Sequence, residues 1–174
     1  MKIEKVVVGD LLENCYIVSK DDYCLVIDPG DEFDKIDKVI GNKKVLAVLI
    51  THHHFDHVGA LDDIVNKYNV SVLDFNSLEE KEYIVGPFTF HVIYNPGHTK
   101  DSVSYYFKDE KVIYVGDFIF KNSIGRCDLA GGNFFEMENS LDKIKKYPDD
   151  IIIYPGHGDS TTLGYEKKNN SFFR

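Results

Sequence analysis

The sequence predicts an α/β fold in which β-sheets are covered by helices on their outer faces. Three observations carry that expectation. Short apolar segments bounded by turn residues recur along the whole chain, helical stripes fall between them in both halves, and Val45–Ile50 is an unbroken apolar run of the kind buried on both faces of a sheet. The chain has 174 residues, of which 43% are hydrophobic. A body of that size buries ~68–70% of its unfolded surface, so we expect residues 1–174 to form a single domain.

Taken in order, strands are predicted at Ile3–Val8, Cys15–Ser19 and Tyr23–Ile27, the last closed by the turn Asp28-Pro29-Gly30. Phe33, Ile36 and Val39/Ile40 then recur at helical spacing until Gly41, and the Val45–Ile50 strand follows. Val58, Leu61, Ile64/Val65 and Tyr68 mark one helical stripe, with a strand expected at Val70–Phe75. Phe88, Phe90, Val92 and Tyr94 alternate with Thr89, His91 and Ile93, the period of a half-buried strand. Strands at Val103–Phe107 and Val112–Val115 come next. Phe134, Met137, Leu141 and Ile144 give a helix that stops before Pro148, and Ile151–Tyr154 is the last strand. Tyr165, Phe172 and Phe173 are expected to pack the tail back on the body.

Composition narrows the partners. Lys and Arg number 20 against 29 Asp and Glu, a formal charge of −9, which argues against binding to nucleic-acid backbones. The longest apolar run is far shorter than the ~20 residues needed to cross a bilayer, and the amino terminus carries charges where a signal peptide is apolar. No membrane or nucleic-acid partner is expected. Cys15, Cys24 and Cys127 are an odd set with no CxxC spacing, which suits reduced thiols and a cytoplasmic address.

Four of the seven histidines fall within Thr51-His52-His53-His54-Phe55-Asp56-His57, between the Val45–Ile50 strand and the next helix. In extended backbone, His52 and His54 project to one side with Cα atoms ~6.6 Å apart, a bite suited to one metal ion, while His53 points away. The turn into the helix brings Asp56 and His57 to the same mouth with a different aim, which suits a second ion. His98, Asp117 and His157 each follow an apolar strand at a Gly- or Pro-Gly-bearing loop, where a rigid sheet presents a reactive group. His53 and His91 read as non-ligands, and Cys127 as a packed thiol without a thiolate-stabilising motif.

This pattern, His52-x-His54-x-Asp56-His57 followed by His98, Asp117 and His157, resembles the ligand set of the metallo-β-lactamase superfamily. Within it, Glu13-Asn14-Cys15-Tyr16, Ile27-Asp28-Pro29-Gly30, Ser123-Ile124-Gly125-Arg126-Cys127-Asp128 and Tyr154-Pro155-Gly156-His157-Gly158 are similar to the short bacterial relatives of glyoxalase II, the hydroxyacylglutathione hydrolases. The resemblance implies an αββα four-layer sandwich of two mixed β-sheets with helices outside. It implies that His52, His54 and His98 hold a first metal, that Asp56, His57 and His157 hold a second, and that Asp117 bridges them, with Asp56 and Asp117 the catalytic carboxylates. It also implies that Asp28 hydrogen-bonds a liganding histidine. Having Asp at position 117 departs from the β-lactamases that carry Cys there, and places antibiotic hydrolysis low among the expected activities.

Two divalent ions are therefore the expected cofactor, zinc first, with iron or manganese compatible with the same nitrogen and oxygen ligands. Such a pair lowers the pKa of a shared water from 15.7 towards ~7, and the resulting hydroxide would attack a carbonyl carbon. A thiol of pKa ~8.5 leaves as thiolate with little help, which favours a small-molecule acyl thioester such as S-lactoylglutathione or a related acyl thiol. Only 17 residues follow His157, too few for the C-terminal helical domain that contacts glutathione in full-length glyoxalase II, so selectivity for glutathione is not expected. His98-Thr99-Lys100-Asp101-Ser102 replaces the His-Thr-Pro-Gly-Ser common in that family, and Lys100 or Arg126 is predicted to meet a substrate anion. The competing activities are a persulfide dioxygenase with one iron, a lactonase and, less favoured on charge, a metallo-nuclease; a non-catalytic metal-binding module is the non-enzyme alternative.

Overall fold

Alternation along a strand sends neighbouring side chains to opposite faces, and in this chain both faces are apolar. In a computed structural model that describes residues 1–173, the amino-terminal half forms a five-stranded sheet in the order β1 (Lys2–Val8), β2 (Glu13–Lys20), β3 (Tyr23–Ile27), β4 (Lys44–Leu49), β5 (Ser71–Leu73). The first two pairings are antiparallel and the last two parallel. Cys15, Ile17, Cys24 and Val26 face outward onto α1 (Phe33–Ile40) and α3 (Leu61–Tyr68), meeting Ile36, Ile40 and Ile64. Tyr16, Val18, Leu25 and Ile27 face inward.

What they meet is the second sheet, six strands in the order β13 (Thr161–Thr162), β12 (Ile152–Pro155), β9 (Val112–Gly116), β8 (Val103–Phe107), β7 (Phe88–Tyr94), β6 (Glu82–Val85). Only β9 and β12 run parallel within it. Phe88, Phe90, Tyr105, Phe107 and Tyr114 fill the space between the sheets. Ile113, Val115 and Ile153 face the other way onto Met137, Leu141 and Ile144 of α4 (Phe134–Ile144). Helix, sheet, sheet and helix are thus stacked in four layers, with the central one dry and aromatic. Because both faces of each sheet are covered, the expected half-buried strand at Phe88–Tyr94 turns out to have Val92 and Ile93 both buried, on opposite sides.

Several local readings needed correction. The single stripe from Val58 to Tyr68 is two helices, α2 (Phe55–Val58) and α3, because the Ala60 amide leaves the helical ladder and donates to the Pro29 carbonyl at 3.0 Å. The edge strands β6 and β13, the hairpin of β10 (Ile119–Phe120) with β11 (Ser123–Ile124), and α5 (Leu163–Asn169) were not anticipated, so the strand at Ile152–Pro155 is not the last: the two residues of β13 pair beyond it. β6 follows the charged run Glu79-Glu80-Lys81, the strands of the hairpin and β13 are too short for any period, and α5 is set by the Thr162 side chain accepting from the Tyr165 amide. The tail does return: Phe173 is buried against the α4 layer, while Phe172 stays largely exposed.

The two sheets are tied together at one end. The Tyr16 hydroxyl donates to the Pro155 carbonyl at 2.7 Å, the Asn14 amide side chain to the carbonyls of Pro155 and Gly158, both at 3.0 Å, and the Asn14 backbone amide to Gly156 at 2.7 Å. These bonds fix the loop after β12 over the loops that follow β3, β4 and β9.

Candidate metal centre

Those loops carry seven predicted side chains to one place. His52 and His54 come from the turn after β4, Asp56 and His57 from the first turn of α2, His98 from the loop after β7, Asp117 from the residue beyond β9, and His157 from the loop after β12. Candidate ligand atoms of His52, His54 and His98 lie within 4.8 Å of one another, as do those of Asp56, His57 and His157, and those of His52, His57 and Asp117. The third set joins the first two. Asp117 divides its oxygens between them: Oδ2 is 3.5 Å from His98 Nε2, while Oδ1 is 3.3 Å from His57 Nε2 and 3.6 Å from His157 Nε2. Asp56 Oδ2 completes the second group 3.2 Å from His157 Nε2.

Each ring is oriented by what its other nitrogen does. His57 Nδ1 lies 3.0 Å from Asp28, His98 Nδ1 2.7 Å from the Arg126 carbonyl, His157 Nδ1 3.1 Å from the Leu11 carbonyl, and His52 Nδ1 3.2 Å from the Thr51 hydroxyl. In all four, Nε2 is left to face the cluster, and partners of this kind set the tautomer and aim of metal-binding imidazoles. Asp28 is itself held by the Thr51 amide (2.7 Å) and hydroxyl (2.6 Å). His54 is the exception in presenting Nδ1, 2.9 Å from His98 Nε2. Close approach of the β12 loop depends on Gly156: a β-carbon there would stand 2.4 Å from Asp117 Oδ1 and 2.5 Å from the His57 ring.

Whether this cluster fits metal ions can be judged from its own atoms. Nε2 of His52, Nε2 of His57 and Oδ1 of Asp117 are buried with no hydrogen-bond partner, and such orphaned groups are rare unless an ion or water completes them. Burial first, and then the neighbouring rings, hold His52 below the usual histidine range; His54 is likewise lowered, chiefly by burial and by His98. Both therefore offer lone pairs at neutral pH. For Asp117 burial acts to raise the value, but His57 beside it and the surrounding histidines outweigh it and keep the carboxyl below its ordinary range. At His57 burial pulls down and is overcome by the carboxylate of Asp117 nearby and by Asp28 at Nδ1, which hold the ring well above its usual value. The surroundings of His57 thus call for positive charge, which a divalent ion in front of Nε2 supplies. The donor set suits divalent ions of the zinc type.

Sequence reasoning missed one residue. Glu13, quoted only as part of a short motif, is 1% exposed, with both side-chain oxygens unpartnered and Oε1 3.8 Å from His57 Nδ1. Burial foremost pushes its carboxyl up to about 10, with Asp28, Asp56 and Asp117 adding to the rise and His57 opposing it. An acidic residue two places before the buried Cys15-Tyr16 pair was the available signal, but its neighbours become visible only once the sheets are closed.

The other predicted residues lie at the rim. His53 points away, 2.6 Å from Asp101 and 3.2 Å from Asp74, and His91 pairs with Glu82 on the edge of the second sheet. Lys100 is exposed beside Gly131, and the Arg126 guanidinium is clamped by Asp128 through contacts of 2.7 and 2.8 Å. Cys15 and Cys24 are buried, and Cys127 is half-buried, its thiol raised mainly by burial. No helix among the described residues is long and apolar enough to cross a membrane.

Known proteins are similar to this chain in sequence and fold. The profile of the metallo-β-lactamase superfamily matches residues 8–74 and 71–157. The probable metallo-hydrolase YqgX of Bacillus subtilis (strain 168) is 33% identical over 99% of this chain and 97% of its own, and the hydroxyacylglutathione hydrolase GloC of Haemophilus influenzae is 31% identical over 99% and 98%. Among solved structures, BLEG-1 B3 metallo-β-lactamase superposes with a TM-score of 0.94 at 31% identity, covering 99% of both chains. TTHA1623 in a di-iron-bound form does so with a TM-score of 0.89 at 31% identity, covering 97% of this chain and 99% of the other. With a family match over most of its length and relatives above 30% identity along nearly all of it, the chain belongs to the metallo-β-lactamase superfamily.

Proposed function

We propose that this protein is a dinuclear metallohydrolase that cleaves acyl thioesters, in the manner its similarity to hydroxyacylglutathione hydrolases suggests. One observation carries the reading: Asp117 turns one oxygen to His98 and the other to His57 and His157, as a carboxylate shared by two ions must. His52, His54 and His98 would hold one ion, Asp56, His57 and His157 the other, and Asp117 both. When bound, two divalent ions supply a water acidified towards neutrality and an electrophile for a carbonyl oxygen.

The chain's own residues do the rest. Asp28, the Arg126 carbonyl and the Leu11 carbonyl hold His57, His98 and His157 in orientation. The low value of Asp117 keeps its carboxylate available as a ligand at neutral pH. A thiolate departs without a general acid, and both carboxylates of the cluster are engaged by its histidines, Asp117 by His98, His57 and His157 and Asp56 by His157. Zinc is the proposed ion, with iron supported by the di-iron-bound relative. The three free thiols agree with a reducing, cytoplasmic setting.

The test is metal analysis of natively expressed protein, combined in one preparation with thioesters, a lactone, a persulfide under oxygen and a chromogenic cephalosporin. Two equivalents of metal and thioester cleavage under nitrogen are expected. A single iron with oxygen consumption on the persulfide would replace this reading with the dioxygenase, and turnover of the cephalosporin alone would replace it with the activity named for BLEG-1.

A further inference from the structure

Beside the metal centre opens a groove of about 410 Å³ walled by Ile124, Cys127, Phe134 and Phe172. Two of its lining residues, Gly125 and Arg126, pack directly against the centre. A β-carbon on Gly125, which lines the groove, would stand 1.8 Å from the Asp117 carbonyl oxygen and 3.1 Å from the His98 ring. The next residue, Arg126, gives its carbonyl to His98 Nδ1. Phe134 and Phe172 are 50% and 41% exposed, so two phenyl rings stand in water at the edge of a reactive site. Apolar walls with a few convergent polar groups are what small-molecule pockets present, and exposed apolar clusters on a soluble domain commonly mark binding sites.

Charge decides what the groove accepts. Its charged linings are Arg126 and Asp128, and the two-point contact between them cancels both. The groove on the other side of the centre, about 350 Å³ beside Asp56, is edged by Asp10 and Asp31 and repels anions. An anionic arm is disfavoured on one side and meets a compensated pair on the other.

We infer that the substrate carries an uncharged apolar arm that lies in the Ile124–Phe172 groove while its carbonyl sits at the metal centre, an inference that rests on the thioesterase reading above. The arm belongs either to the acyl group or to the thiol, and two substrate series tell these apart. In one, a short neutral thiol is held constant and the acyl group is acetyl, butanoyl or hexanoyl. In the other, the acetyl group is held constant and the thiol is ethane-, butane- or hexanethiol.

With zinc-loaded protein, kcat/KM is expected to rise about fourfold per methylene in one series. The double replacement Phe134→Ser with Phe172→Ser is expected to flatten that slope to less than about twofold per methylene, as the same area rule requires. Ile84→Ser, which removes an exposed apolar side chain on the outer strand β6, leaves the slope as it was. Calorimetric titration with uncleavable thioethers of the same lengths reads the groove without turnover, and Kd is expected to fall by the same factor per methylene with a negative heat-capacity change. Thioester turnover with flat slopes in both series overturns the groove assignment and leaves the thioesterase standing. No turnover of any thioester, with length-dependent thioether binding that the double replacement abolishes, overturns the thioesterase reading and retains the groove as an apolar site. A substrate preference for carboxylated arms overturns the inference directly.

Discussion

Asp28 and His57 are 3.0 Å apart, carboxylate oxygen to Nδ1, and this contact leaves the opposite nitrogen of the ring 3.3 Å from Asp117 Oδ1. A residue at the end of β3 thereby aims a side chain from α2 at a carboxylate from β9. Asp28 sits in the left-handed region with φ 49°, a conformation that Asn also tolerates.

Asp28→Asn therefore preserves the backbone and removes the charge behind His57. Metal affinity at the second position is expected to fall about 10- to 100-fold, the range seen when such supporting partners are lost. Competition with a chromophoric chelator measures it, and affinity equal to that of the parent protein would reject the role given to Asp28.

Asp117→Ala removes the group shared by both halves of the centre, and His54→Ala removes one imidazole of the first. Each is expected to lower thioester turnover by more than about 100-fold, beyond the usual effect of a supporting partner, while circular dichroism stays that of the folded sandwich. Metal content should drop from two equivalents to one or fewer. Persisting activity in both variants would reject the assigned centre.

Gly156→Ala tests the close approach of the β12 loop without touching any ligand. The added methyl would stand 2.4 Å from Asp117 Oδ1 and 2.5 Å from the His57 ring, so the loop or the ligands must move. Because tightly packed surroundings yield only at a cost of about 1–3 kcal/mol, metal binding is expected to weaken by about 5- to 150-fold. The chelator titration used for Asp28→Asn reads this as well.

Glu13 makes the metal-free protein sensitive to pH. Its folded-state value, pushed up to about 10, lies above the 4.5 of an unfolded chain, so below pH 4.5 both states hold the proton and no penalty arises. As pH rises from there towards 10, the unfolded chain releases its proton while the folded one keeps it, and stability falls by up to about 1.4 kcal/mol per pH unit. Glu13→Gln removes this loss. Melting temperatures of metal-free parent and variant should therefore diverge between pH 5 and pH 8, with the variant the more stable at the higher pH. Parallel curves would show that the Glu13 carboxyl is ionised in the folded chain.

Much of this was legible without coordinates. His52, His54, Asp56 and His57 lie within a few residues of one another, and His98, Asp117 and His157 each stand just past an apolar strand, so residue type and local spacing marked them. The alternation of Tyr16 and Val18 with Cys15 and Ile17 is likewise a local record of which side chain takes which face. Glu13 was hidden because nothing near it in sequence reports burial against Asp28 and His57. The break between α2 and α3 was hidden because it depends on the distant Pro29 carbonyl. Sequence left open whether Arg126 meets a substrate anion or its near neighbour Asp128, and the folded loop shows the guanidinium engaged by Asp128.

The sequence by itself pointed to helix-covered sheets, carried the family's motif and named the candidate ligands, since periodicity and residue chemistry act over a few residues. The tertiary structure decided which of those side-chain atoms face each other, how Asp117 divides its two oxygens, and that the Glu13 carboxyl is buried beside His57. Those outcomes depend on contacts such as Asn14 with Gly156, whose partners are far apart along the chain and meet only when the two sheets close on their shared apolar core.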